Sequence, residues 1–407
     1  MSVPEMLTHA EVPFSLEEIN ADWLTIALRE TGIIGEEFVQ GLDLKVIGLE
    51  AGFNGEVVIL KLQYSDDQVT APTSMVLKIP TPLKNRIMAQ TMGLYEKEIR
   101  FYRDLKPLLD VRTPHHFYSA LSAADDPDLV AERMLGLNKM PMWLIAVVTK
   151  LATWMIASTP RRYVLLIEDL SEYRMGDQLQ ACSIEDTHRI LSAMASMHAQ
   201  FWDSEQLAAM TWIAPVATSS KLIHLMYKQT IGKIRSANKQ KFTARQLQLI
   251  EWLIENGIAL TDIQGNESST LLHGDVRLDN ICFDDVNDQA VLFDWQTMQS
   301  GPAGMDLAYF LSATVAVDAD EDEIDELISL YHQQLTANGV EISPAKLHWQ
   351  YEIGMLAMVH RILPTLHPDR MDLGSERGVK MMQAWMEKIF RKVEHIQFET
   401  ILERVPD

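Results

Sequence analysis

Three side chains within one stretch of twenty residues, Asp275, Asn280 and Asp294, have the types and spacing for metal and phosphate chemistry. Their context is Leu271-Leu-His-Gly-Asp-Val-Arg-Leu-Asp-Asn-Ile-Cys-Phe283, then Asp284-Asp-Val-Asn-Asp288, then Ala290-Val-Leu-Phe-Asp-Trp-Gln296. An apolar strand enters a polar loop, Ile281 to Phe283 reads as a short strand, the Asp/Asn run as a turn, and Ala290 to Phe293 as the returning strand. Such a hairpin brings the loop before it and the aspartate after it to the same end. Two carboxylates and an amide oxygen are hard donors suited to Mg²⁺ carrying substrate phosphates. A carboxylate left off the metal can accept a hydroxyl proton, which completes the inventory for phosphoryl transfer to an alcohol. Taken singly, each of the three reads as a loop cap or turn residue; only their combination points to phosphoryl transfer.

A second constellation precedes it. Lys78 interrupts the apolar run Met75-Val-Leu-Lys-Ile79, and a lysine there needs an anion or a path to water. Twenty residues on, Glu98 lies on a helical face with Tyr95, Tyr102 and Leu105, and also needs a partner. Pairing Lys78 with Glu98 answers both needs; the bland alternative is an edge lysine and a surface glutamate. Gly52-Phe-Asn-Gly55, between two strands, offers backbone N–H groups that can cradle phosphate, with Gly52, Asn54 and Gly55 as the candidate residues. An ordinary hairpin turn uses Asn-Gly equally well.

The elements that must position these groups follow from periodicity. Ser15 caps a predicted helix. Val46 to Tyr64 reads as two strands around the glycine turn, and Met75 to Ile79 as a third. Arg86 to Leu105 is helical in pattern, Tyr163 to Ile167 is an apolar strand, and Ser183 opens a helix through Ile190, Met194, Met197 and Phe201. A β-rich front and a helical rear with an embedded hairpin define an α+β, two-lobed chain. The boundary is expected at residues 168/169, with a hinge near Glu168–Ser171.

Composition limits the partners. Of 407 residues, 47% are hydrophobic and 23% charged, an ordinary globular balance. With 35 basic and 57 acidic residues the net charge is −22, and no basic face for nucleic acid is visible. Cys182 and Cys282 form neither a zinc framework nor a disulfide scaffold. The N-terminus lacks the charge and apolar pattern of a signal peptide, so a cytoplasmic location is expected. Met140 to Ala157 approaches spanning length, but Lys150 near its middle costs about 2.5–3.5 kcal/mol in a bilayer. Membrane contact is not expected, and the apolar insertion near 121–160 is left as a substrate lid, a dimer contact or a lipid-facing helix.

HGDxxxxN followed by a strand-borne DW resembles the aminoglycoside phosphotransferase and choline kinase superfamily. Asp294-Trp-Gln296 and Gly304-Met-Asp-Leu-Ala-Tyr-Phe-Leu311 are most similar to its ecdysteroid-kinase-like (CHK kinase-like) branch. The resemblance covers about residues 45–335. It implies a protein-kinase-like bilobal fold, Asp275 as catalytic base, and Asn280 and Asp294 as magnesium ligands. It also implies that Lys78 and Glu98 position the α- and β-phosphates. Backbone groups near Glu168 and Leu170, in Val164-Leu-Leu-Ile-Glu-Asp-Leu170, would meet the adenine edge. Asp275-Val-Arg-Leu-Asp-Asn280 lacks the aromatic common after this aspartate in that branch and is closer to hydroxyacyl-type phosphotransferases associated with acyl-CoA dehydrogenases. The substrate is therefore open. His198, His273 and Asp306 are read as structural support.

The expected function is a kinase using ATP, or alternatively GTP, with Mg²⁺, acting on a small-molecule hydroxyl. Trp202, Trp212, Trp252, Trp349 and Trp385 in the rear lobe favour an apolar or amphipathic alcohol over a sugar. The alternatives are an aminoglycoside or choline-type kinase, a non-catalytic nucleotide-binding protein on the same fold, and a metallohydrolase using His273 and Asp275. A protein kinase is disfavoured because Gly301-Pro-Ala-Gly304 stands where an Ala-Pro-Glu motif would follow. Oligomeric state is not readable.

Overall fold

The computed structural model describes residues 10–47, 55–80, 84–122, 127–159, 161–237, 242–314, 321–366 and 376–406. The front lobe is a five-stranded antiparallel sheet of β1 (Val39–Val46), β2 (Gly55–Tyr64), β3 (Ser74–Pro80), β4 (His116–Leu121) and β5 (Tyr163–Glu168). Its spatial order is β1-β2-β3-β5-β4, so the last strand in sequence is inserted between β3 and β4. Paired on both edges, β5 is an almost unbroken apolar run. Successive side chains alternate faces. Leu77, Val164 and Leu166 pack with Leu24 and Leu28 of α1 (Ala21–Glu30). Tyr163, Leu165 and Ile167 face the other core, with α2 (Lys84–Thr91) and α3 (Leu94–Arg100). The insertion between β4 and β5 forms α4 (Pro127–Lys139) and α5 (Met142–Ser158).

Three local expectations change. The first strand ends at Val46 rather than starting there. It is a half-exposed edge strand with Gly41 and Asp43 inside it, and its apolar signal is correspondingly weak. Ser15 caps only a single 3-10 turn without a side-chain bond; the helix proper begins after Asn20, whose side chain accepts from Trp23 N–H. The helix expected over Arg86–Leu105 is broken at Gly93, which takes a left-handed φ of 66°, and it ends in a π-turn over Phe101–Leu105.

The rear lobe is mostly helical: α6 (Ile184–Gln200), α7 (Glu205–Ala208), α8 (Ser220–Ala237), α9 (Ala244–Gln264), α10 (Gly304–Thr314), α11 (Glu321–Ala337), α12 (Pro344–Ile362) and α13 (Glu376–Val393). Ser183 caps α6 as expected, accepting from Asp186 N–H. The embedded strands are β6 (Arg174–Met175), β7 (Thr270–Leu272), β8 (Ile281–Asp284), β9 (Gln289–Leu292) and β10 (Gln299–Gly301). The predicted hairpin forms with Ile281 opposite Leu292 and Phe283 opposite Ala290. Where the lobes meet, the Phe101 ring stacks on buried Trp295 at 4.1 Å between centroids. Among the described residues no helix is long and apolar enough to cross a membrane.

Candidate active site

Strand alternation turns Lys78 away from α1 and toward α3. Its ammonium donates to Glu98 at 2.5 Å and lies 3.4 Å from Asp294 Oδ1. Burial alone lowers an ammonium pKa, but the Asp294 and Glu98 carboxylates outweigh it and hold Lys78 above its usual value. Glu98 is fully buried. A carboxylate in that position needs several donors, and it also accepts from Tyr163 Oη at 2.9 Å and Gln296 Nε2 at 3.0 Å. Asp294 sits in the left-handed region at φ 65°, unusual for a residue with a side chain. Burial opposes its ionisation, yet Lys78, with Arg277, holds it below the ordinary carboxylate range.

The loop after β7 is built around Asp306, at the start of α10. Its two oxygens accept from His273 N–H at 2.7 Å and Gly274 N–H at 3.0 Å. His198 Nε2 lies 3.4 Å from the same carboxylate, and its Nδ1 pairs with the Tyr331 hydroxyl. His273 Nε2 bonds to Phe293 O at 3.0 Å, and Asp275 N–H donates to His273 Nδ1 at 3.3 Å. That network assigns the His273 proton to Nε2. Gly274 has φ 79°, and a Cβ there would come 2.4 Å from Thr297 O, so the loop requires glycine.

Asp275, displayed by this loop, accepts from Asn280 Nδ2 at 2.8 Å, from Arg277 Nε at 3.3 Å, and from the Tyr309 hydroxyl. Asn280 is buried, and with its nitrogen committed to Asp275 it has its amide oxygen left to offer. Arg277 is held further by Asp279 at 3.0 Å, and Arg377 of α13 reaches the same aspartate at 2.9 Å. Among the described residues no group of three or more His, Cys, Asp or Glu has metal-ligand geometry. Asp294 and Asn280 are instead a sparse oxygen set. That suits Mg²⁺, which keeps waters and uses one or two carboxylates beside substrate phosphates.

The structure therefore brings together Lys78, Glu98 and Asp294, and separately Asp275 and Asn280. Gly52 and Asn54 lie outside the described residues; Gly55 opens β2 opposite Pro80. At the end of β5, the Glu168 carboxylate pairs with Arg112 at 2.7 Å and its N–H donates to His115 O at 2.9 Å. Leu170 is buried, and its carbonyl accepts from Tyr173 N–H. Sequence reasoning missed the supports Tyr163, Gln296, Arg277 and Tyr309. Tyr309 had a signal: it lies one turn after Asp306 on α10, so the two share a face. Of the five tryptophans, Trp385 is the one whose ring meets a neighbour of Asp275, 4.9 Å from Tyr309. Trp349 and Trp252 pack against the C-terminal segment instead.

A lysine–glutamate pair on a β-rich lobe, facing a His-Gly-Asp loop and a strand-end aspartate on a helical lobe, defines a kinase-type bilobal protein. The profile of the ecdysteroid kinase-like family matches residues 51–342, and the chain belongs to that family. Membership places it among small-molecule kinases of this type. Among solved structures it is similar to Plasmodium vivax ethanolamine kinase (10% identity, 88% of this chain and 82% of that one, TM-score 0.48). It is also similar to Cryptosporidium parvum choline kinase (11%, 85% and 88%, 0.45) and to a type I macrolide 2'-phosphotransferase (16%, 89% and 94%, 0.46). No curated protein matches the sequence.

Proposed function

We propose that this protein is an ATP- and Mg²⁺-dependent kinase that phosphorylates a hydroxyl group of a small molecule, with an apolar or amphipathic alcohol as acceptor. The observation that carries the reading is the ion-paired group in which Lys78 joins Glu98 to Asp294, together with the second group, Asp275 and Asn280, on the loop that leads into the Asp294 hairpin. Lys78, fixed by Glu98, neutralises charge on the nucleotide phosphates. Asn280 and Asp294 would hold Mg²⁺, which supplies electrostatic stabilisation of the transferring phosphoryl group. Asp275 orients the acceptor hydroxyl and takes its proton as the oxygen bonds to the γ-phosphorus and the β–γ bridging bond breaks. The Tyr309 hydroxyl makes the hydrogen bond to Asp275 that an acceptor hydroxyl would make, so it marks the acceptor's place. The Glu168–Leu170 segment and the Gly52–Gly55 loop are assigned to adenine and phosphate respectively, and the lobe boundary to Glu168. Because the Glu168 N–H and carboxylate are already bonded within the protein, other backbone groups of the segment must serve adenine.

The aminoglycoside or choline-type alternative differs only in the acceptor. A non-catalytic nucleotide binder is disfavoured because Lys78, Glu98, Asp275, Asn280 and Asp294 are all present. The test is an ATP-consumption screen over sterols, hydroxyacyl thioesters, choline and aminoglycosides, with product phosphate ester measured directly. Stoichiometric ester from an apolar alcohol supports the reading. Nucleotide binding without turnover on any acceptor supports the non-catalytic alternative.

A further inference from the structure

The 17-residue helix α5 wears its apolar residues on the outside. Trp143 and Trp154 are 69% and 68% exposed, and Val147 and Leu151 are each 57% exposed. Steps of four, four and three put these four residues on one face. Ile145, the buried residue of α5, lies about 200° round the helix from Trp143, away from that face. The helix packs against α2 and α8. A helix on a soluble protein normally turns its polar side to water, and an exposed apolar face of this kind marks an interaction site.

The surroundings say what covers it. α5 and α8 carry Lys150, Lys221, Lys228, Lys233 and Arg235 and no Asp or Glu; α2 adds two basic residues and no acid. In a chain with 57 acidic residues, three packed helices free of them are a local reversal of charge, bounded by the acids of α4 (Asp128, Glu132) and α9 (Glu251, Glu255, Asp262), which also pack on α8. Arg235 is partly offset by Glu251 of α9, while Lys150 and Lys228 are exposed. We propose that this face docks on an anionic lipid surface, with Trp143 and Trp154 at headgroup level and the lysines against lipid phosphates. Tryptophan favours the membrane interface, and a short apolar face rimmed by lysine lies in its plane rather than crossing it. The net charge of −22 does not prevent docking, because exposed charges beyond about 8 Å are largely screened in physiological salt. Self-association through the same face is disfavoured, since it opposes two like-charged rims. The proposal reverses the expectation that the chain makes no membrane contact, and it does not depend on the kinase assignment.

The test is co-sedimentation of the full chain, without nucleotide, with phosphatidylcholine vesicles containing phosphatidylserine and with vesicles of phosphatidylcholine alone. Binding to the mixed vesicles, weakened by added salt, is expected. The double variant Trp143→Ala/Trp154→Ala should lower partitioning by on the order of tenfold or more. Lys150→Gln/Lys228→Gln should lower it about tenfold on the mixed vesicles. Circular dichroism and thermal melts confirm that each variant is folded. Absence of wild-type binding, equal binding to both vesicle types, or unchanged binding by the folded tryptophan variant overturns the proposal. So does a concentration-dependent dimer that the tryptophan variant abolishes while vesicle binding is absent.

Discussion

Asp275 is gripped by Tyr309, Arg277 and Asn280, so a substitution there must separate proton transfer from loop architecture. Asparagine keeps the size and one oxygen but cannot take a proton at neutral pH. Asp275→Asn should cut turnover by on the order of 10²–10⁴-fold and leave ATP affinity within a few-fold, as read by product formation and calorimetry. Loss of ATP binding as well would move Asp275 into the metal site. Asp294→Ala should weaken nucleotide binding in the presence of Mg²⁺, and wild type should bind less well without the metal; equal affinities in all three titrations would remove Asp294 from metal binding. Lys78→Met should lower kcat strongly and also lower the melting temperature, because it leaves the buried Glu98 carboxylate without its cation. Its kcat is therefore read below the melt, on protein shown to be folded, and Glu98→Gln should lower kcat in the same direction but less. Full activity in Lys78→Met would end the phosphate-positioning argument.

At the scale of elements, α10 must lie close against α12 for Asp306 to reach the His273 loop. Glycine permits that approach. A Cβ on Gly304 would come 2.5 Å from the Gln350 carbonyl carbon, and one on Gly354 would come 2.9 Å from Gly304 O. The closest atoms are backbone or the Cβ atoms of Gln350 and Ala308, none of which can swing aside. Gly354→Ala is expected to cost about 1–3 kcal/mol in urea melts by overpacking. Gly232→Ala, on α8 with nothing within 4 Å, should instead be neutral or gain about 0.5–1 kcal/mol from helix propensity. Equal effects at the two sites would refute close packing of α10 on α12. The same reasoning explains Gly93: a left-handed residue splits what periodicity reads as one helix, and periodicity carries no information about the sign of φ.

Over the whole molecule, acid sensitivity should be set partly by histidines buried neutral. His360 is fully buried, and its pKa is pushed down to about 3, first by burial and then by His224 and Arg361. In the unfolded chain it titrates near its ordinary value of about 6.5. The unfolded state therefore binds more protons between these values, and the associated stability is complete above pH 6.5 and is lost as pH falls toward 3. One such group accounts for about 2 kcal/mol between pH 6.5 and pH 5. Urea melts across that range should show wild-type stability falling with acid, and His360→Gln should flatten the slope by about one proton. An unchanged slope would mean that His360 is protonated in the folded protein.

The sequence by itself determined which candidate site residues are present and their order along the chain. The His-Gly-Asp loop, the hairpin and Asp294 are local in sequence, and turn residues with strand alternation suffice to bring them to one end. Lys78 and Glu98 were legible because a charge inside an apolar run demands a partner. Family membership and the two-lobed α+β fold follow from the same motifs. The tertiary structure alone decided the supports, because they come from distant segments: Tyr163 and Gln296 on Glu98, Tyr309 on Asp275, and Arg377 on Asp279. It also decided that Trp349 and Trp385 are buried while Trp202, Trp212 and Trp252 lie half-buried against the same core, and that α5 turns its apolar face outward. Periodicity identifies an apolar helix; only the placement of its neighbours determines which face they cover and which is left to water.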